Sequence, residues 1–174
     1  MEKFSSNSTH VFWITGISGS GKTTFSKVLQ KVLNKNNASN IIIDGDTIRK
    51  ILDKEQSYTK ESRLKIAYIY SNLAIMIQKQ NINVICSTIS LFHEVQNYNR
   101  KYIINYKEIL ISRSIDDIKN EDIKKIYENK NNVVGVDIIP EFPENPDFLI
   151  TDIPLKDLEN EAEKIVKKFL NHGA

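Results

Sequence analysis

Apolar positions recur along this chain with two alternating periods. His10-Val11-Phe12-Trp13-Ile14-Thr15 is a short apolar run, β-branched and aromatic, that predicts a buried strand. From Thr24 to Leu33, Phe25, Val28, Leu29, Val32 and Leu33 fall at helical spacing, ending at the polar stop Asn34-Lys35-Asn36-Asn37. Ile41-Ile42-Ile43 predicts a second strand, apolar all round, as in a parallel sheet covered on both faces. A helix is expected from near Thr47 to before Ser57. A longer one from Thr59 carries Ile66, Ile69 or Tyr70, Leu73 and Ile77, and stops around Gln80-Asn81. Asn83 to Ile89 reads as the third strand, followed by a helix through Val95 and Tyr102. Glu108 to Ile111 and Phe148 to Ile150 give the fourth and fifth strands. The last helix places Leu155, Leu158, Ala162, Ile165, Val166 and Phe169 on one face, with Glu and Lys opposite. Strands alternating with helices predict an α/β fold, a parallel sheet of about five strands with helices on both faces. Residues 1–9 read as a flexible tail and 10–174 as a single domain.

Between the first strand and its helix lies Gly16-Ile17-Ser18-Gly19-Ser20-Gly21-Lys22-Thr23, which reads G-x-x-x-x-G-K-T. This is the phosphate-binding P-loop, in the strand–loop–helix setting that the motif requires. Glycines are needed because the backbone N–H groups curl around phosphate oxygens, where side chains would block the approach. The helix N-terminus adds a positive dipole, Lys22 a point charge for the β- and γ-phosphates, and the Thr23 hydroxyl a ligand for Mg²⁺. The expected ATP contacts are Gly16, Ser18, Gly19, Ser20, Gly21, Lys22, Thr23 and Thr24, with ATP and Mg²⁺ as cofactors.

Composition narrows the partners. Basic residues number 24 and acidic residues 22, so no polyanion such as nucleic acid is implied. The polar N-terminus has no apolar core of a signal peptide, and no segment is long enough to span a membrane. The expected location is cytoplasmic. Cys86 is the single cysteine and sits in an apolar run, as a buried core residue would. His10, His93 and His172 share no metal-ligand spacing, and Trp13 belongs to the core.

Asp44-Gly45-Asp46 follows the second strand directly, where ligands bind in such sheets. Asp46 can accept a proton from an attacking hydroxyl, and the doublet favours Mg²⁺ nearby. Arg49, one helical turn on, can clamp a phosphate. The plainer reading is a helix cap at Asp46 with Arg49 as its ion-pair partner.

Taken in order, the P-loop with Thr24, Asp44-Gly45-Asp46-Thr47-Ile48-Arg49, Ile89-Ser90, Val134-Gly135-Val136-Asp137 and Glu141-Phe142-Pro143-Glu144-Asn145-Pro146 resemble adenylylsulfate kinase over nearly the whole chain. The resemblance implies a P-loop kinase that moves the γ-phosphoryl of ATP to the ribose 3′-hydroxyl of adenosine 5′-phosphosulfate. It implies Asp46 as catalytic base, with Lys22 and Ser90 assisting, and acceptor contacts at Asp44, Arg49, Arg63, Ile89 and Val134. Ile123-Lys124-Lys125-Ile126-Tyr127 resembles the family's lid, which makes 114–133 a lid and Lys124 a phosphate contact. Asp122 matches the lid's aspartate, whereas Glu121 stands where the family has arginine. A homodimer is also implied.

The departures concern the acceptor. The family's two adenine-gripping phenylalanines align with Tyr58 and Val133, so one aromatic wall is lost. Stacking on such a wall is worth ~1–3 kcal/mol per base. The family's Asn-Ile-Arg-Arg aligns with Ile66-Ala67-Tyr68-Ile69, replacing three polar side chains, and Ser-Pro has become Ser90-Leu91. Phosphoryl-transfer residues are kept while the acceptor pocket is rewritten. This pattern points to the family's cytidine diphosphoramidate kinase branch, of capsule phosphoramidate biosynthesis, with adenylylsulfate as the alternative acceptor. A switch GTPase would need Asn-Lys-x-Asp, and Asn129-Lys130-Asn131-Asn132 lacks the final Asp. A silent nucleotide-binding relative is the remaining alternative.

Overall fold

The computed structural model describes residues 9–52, 59–114, 134–135, 137–151 and 154–170. Five strands form one parallel sheet: β1 (Val11–Thr15), β2 (Asn40–Asp44), β3 (Asn83–Ser87), β4 (Tyr106–Ser112) and β5 (Phe148–Thr151), in the order β2-β3-β1-β4-β5. The helices are α1 (Lys22–Lys35), α2 (Gly45–Leu52), α3 (Lys60–Gln78), α4 (His93–Tyr102) and α5 (Leu158–Leu170). The expected α/β architecture is therefore the observed one.

Alternation along the central strands builds two cores. Phe12 and Ile14 of β1, with Ile85, Ile109 and Ile111, face α1 and α5, meeting Phe25, Leu29, Val32, Leu33 and Ile165. Val11 and Trp13, with Val84 and Cys86, face α3 and α4, meeting Ile66, Ala67, Tyr70, Ala74 and Val95. Period two on a strand covered on both faces produces this division. Trp13 and Cys86 are fully buried, as expected. On α3 the helical stripe selects Tyr70, 3% exposed, over Ile69, 37% exposed. The polar stops work through asparagine in left-handed backbone: Asn37 (φ 53°) closes α1 and Asn81 (φ 62°) follows α3.

Some expectations need correction. Ile41 is 43% exposed, because β2 is the sheet's edge and is not covered on both faces. Leu155 is 78% exposed, because it lies in a 3₁₀ turn, Leu155–Asp157, before α5. β3 ends at Ser87, two residues before Ile89, and α2 begins at Gly45 instead of near Thr47. Among the described residues no helix is long and apolar enough to cross a membrane.

The segment 140–147 straps α4 at both ends. At its start, the Glu141 carboxylate accepts the His93 amide (2.7 Å) and the Lys60 ammonium (3.2 Å), while the Gln96 amide donates to the Glu141 carbonyl (2.7 Å). At its far end, the Arg100 guanidinium donates to Glu108 (2.8 Å), to the Asn145 carbonyl (2.8 Å) and to Asp147 (3.4 Å). Glu108 is 1% exposed and also accepts the Tyr106 hydroxyl at 3.0 Å. The stretch Glu141 to Pro146, which carries part of the family resemblance above, thus holds α4 against β4 and β5 together with Asp147.

Candidate active site

The carboxyl ends of β1, β2 and β3 open on one edge of the sheet, where the order reverses around β1 and β3. The P-loop leaves β1 there. Gly16 (φ 147°), Gly19 (φ 82°) and Gly21 (φ 99°) all take left-handed backbone. At Gly16 space matters as well, since a Cβ would run into the Ile111 carbonyl. Gly21 precedes α1 with no side-chain cap, and the first turn holds no acidic residue. The N–H groups of that turn therefore face the loop with no carboxylate to cancel the helix dipole, an arrangement suited to phosphate. Lys22 lies over the loop, its ammonium donating to the Ile17 carbonyl at 2.6 Å, within reach of Ser20 Oγ at 3.5 Å. The Lys22 carbonyl takes the Ser26 hydroxyl at 2.7 Å. Thr23 and Thr24 are exposed on the first turn. The loop itself is anchored by Ile17, buried with Leu91 and Val134.

The second wall is the turn after β2. Asp44 Oδ1 accepts both the amide and the hydroxyl of Thr47, each at 2.9 Å. Asp44 is therefore the cap of α2, and the plainer reading of the sequence is right about the cap but wrong about the residue. Asp46 stands exposed in the helix's first turn, and Arg49 is half-buried one turn on. The Tyr70 hydroxyl donates to the Gly45 carbonyl at 2.8 Å.

The third wall follows β3. The Thr88 amide bonds the Ile14 carbonyl at 3.1 Å, and the Thr15 hydroxyl bonds the Ile89 carbonyl at 2.6 Å, tying this loop to β1. Ser90 is buried, and its hydroxyl is 2.9 Å from that of Thr88. α3 starts with Thr59 as its cap, accepting the Ser62 amide at 3.3 Å, and carries Arg63 half-buried on its first turn. Val134 is 2% exposed and serves as packing beneath the P-loop. Tyr58, Val133, Lys124, Asp122 and Glu121, with nearly all of the lid at 114–133, lie outside the described residues, as does nearly all of the 1–9 tail.

The structure thus brings Gly16 to Thr24, Asp44, Asp46, Ile89 and Ser90 to one edge of the sheet. Thr15, Thr88 and Tyr70, which join the walls, were not singled out as site residues by the sequence. Only Thr88 carried a local signal, its hydroxyl two residues from Ser90; the others bond across long sequence separations.

A sequence profile of the family described as adenylylsulphate kinase matches residues 8–151. The chain is similar to the cytidine diphosphoramidate kinase of Campylobacter jejuni, 37% identical over 168 residues, covering 94% of this chain and 98% of that protein. It is 30% identical over 167 residues to the adenylyl-sulfate kinase of a Picosynechococcus strain, covering 92% and 93%. Its fold matches that of the Mycobacterium tuberculosis APS kinase in complex with AMPPNP and APS, with a TM-score of 0.83 over 91% of this chain and 96% of that one, at 23% identity.

Proposed function

Because the chain belongs to the adenylylsulphate kinase family and is an ATP-using phosphotransferase, we propose that its acceptor is cytidine diphosphoramidate, phosphorylated on the ribose 3′-hydroxyl. The observation that carries this reading is the 37% identity, end to end, with a protein of that name. α3 adds support. Where the family resemblance implies three polar acceptor contacts, Ile66 is 5% exposed in the core, and the Tyr68 hydroxyl is bonded to Glu94 with its ring edge-on to Tyr98 at 5.1 Å. Neither side chain is a cation able to hold a sulfated tail.

In this reading the P-loop amides and Lys22 hold the β- and γ-phosphates of ATP. Asp46 takes the proton of the 3′-hydroxyl as its oxygen bonds the γ-phosphorus and the bridging bond to ADP breaks. Arg49, Arg63 and Lys124 hold acceptor phosphate, Tyr58 and Val133 wall the acceptor's base, and the lid at 114–133 closes to exclude water. The uncapped, acid-free start of α1 suits the nucleotide's phosphates, and Thr23, exposed on that turn, would be the protein ligand of the Mg²⁺ carried in with them. When bound, the ion neutralises charge on the β- and γ-phosphates. The product belongs to capsule phosphoramidate assembly in the cytoplasm.

The test is product identity. With Mg·ATP and cytidine diphosphoramidate, phosphorus NMR is expected to show a new phosphomonoester on the ribose 3′ position, formed one for one with ADP. A 3′-phosphorylated product from adenylyl sulfate alone supports the second reading, an adenylyl-sulfate kinase, which the Picosynechococcus likeness favours.

A further inference from the structure

α2 carries Asp46 and Arg49, yet it is weakly seated. Gly45 is its one buried residue, and Ile51 and Leu52 are 66% and 49% exposed. Ile48, packed at the margin of the core, and the Asp44 cap hold the helix along its length, and Gly45 is where its first turn meets the sheet. On one side a Cβ at Gly45 would lie 3.1 Å from the Ser87 carbonyl and 3.2 Å from the Thr88 hydroxyl, so the backbone rests directly on the end of β3. On the other side stands Tyr70, 3% exposed, whose hydroxyl donates to the Gly45 carbonyl at 2.8 Å. The Thr88 hydroxyl against which Gly45 rests is itself 2.9 Å from Ser90 Oγ. A continuous line of contacts thus runs Tyr70, Gly45, Thr88, Ser90, from α3 through the base-bearing turn to the loop beside the P-loop.

We propose that Tyr70 is a positioning residue for phosphoryl transfer, clamping the Asp44-Gly45-Asp46 turn onto β3 so that Asp46 keeps its place relative to Ser90 and the phosphate loop. The proposal rests on Asp46 being the base, as read above. Burial, the largest influence, pushes the Tyr70 phenol far above its ordinary range, so the hydroxyl remains a donor wherever the enzyme works. Packing alone does not require the hydroxyl, because phenylalanine fills the same volume.

Tyr70→Phe separates the two roles. Expected is a fall in kcat of about tenfold, the worth of one ordinary hydrogen bond, with KM for ATP and acceptor changed by no more than about twofold. Adding Tyr70→Phe to Asp46→Asn is expected to cost almost nothing further, since the clamp then positions a side chain that no longer acts as base. Independently of any acceptor, amide hydrogen exchange at Asp46 and Thr47 is expected to quicken by ~10-fold, while the amides of α3 keep their protection. Unchanged exchange with unchanged kcat overturns the proposal, and so does a uniform loss of protection through α3. If the wild-type protein turns over no acceptor, the functional reading fails, and exchange at Asp46 and Thr47 alone decides the role of Tyr70.

Discussion

Asp44 and Asp46 lie two residues apart and do different work. Asp44 commits one oxygen to the amide and hydroxyl of Thr47, whereas Asp46 stays exposed in the first turn. Asp46→Asn is therefore expected to lower turnover by ~10² or more while leaving ATP affinity intact, measured by calorimetry with a non-hydrolysable analogue. Near-normal turnover would remove Asp46 from the base role. Asp44→Ala removes a cap and is expected to cost ~1 kcal/mol of stability, read as a lowered Tm. The P-loop was legible in the sequence because its chemistry is local: each glycine serves a backbone angle or a close approach within one short loop. The division of labour in Asp44-Gly45-Asp46 was not, since it depends on where β2 ends and α2 begins. The role of Tyr70 was also hidden, because its partner Gly45 is 25 residues away.

At the scale of elements, α4 depends on a strap that contributes no strand or helix of its own. The Glu141 carboxyl is held below its ordinary range, first by the His93 amide, and Lys60 adds to the effect. Its contribution is therefore present above the usual carboxylate range and fades as pH falls through the depressed one. The far end behaves oppositely. Burial pushes the Glu108 carboxyl up, opposed by the Tyr106 hydroxyl and by Arg100. Arg100→Leu is expected to destabilise the fold by ~2–3 kcal/mol at pH 8, less than a fully buried pair because Arg100 is 41% exposed. With the guanidinium gone, the folded state holds Glu108 charged only at a penalty. That penalty is complete above the raised pKa and is relieved as pH falls through it, so the loss is expected to shrink toward pH 5. Urea titrations of both proteins at the two pH values check this; an equal loss at both would place the stabilisation in packing rather than in the buried charge. The sequence displayed Glu141-Phe142-Pro143-Glu144-Asn145-Pro146 as a signature but gave no sign that it serves α4, since strap contacts have no period.

At the scale of the molecule, the sheet order β2-β3-β1-β4-β5 gathers the ends of β1, β2 and β3 at one edge, where the phosphate loop and the base turn meet. Alternation of apolar strands and amphipathic helices made that architecture readable, and burial on both faces made β1, β3 and β4 the plainest strands. The edge position of β2 was not readable, because exposure at Ile41 depends on which neighbours pair. Coupled ADP release with Mg·ATP, comparing kcat/KM for cytidine diphosphoramidate and for adenosine 5′-phosphosulfate, decides the acceptor. A ratio of ~10² or more in favour of the cytidine compound is expected, the scale set by pocket groups left unpaired with the wrong substrate. A ratio favouring the phosphosulfate would contradict the cytidine acceptor and return the chain to adenylyl-sulfate chemistry.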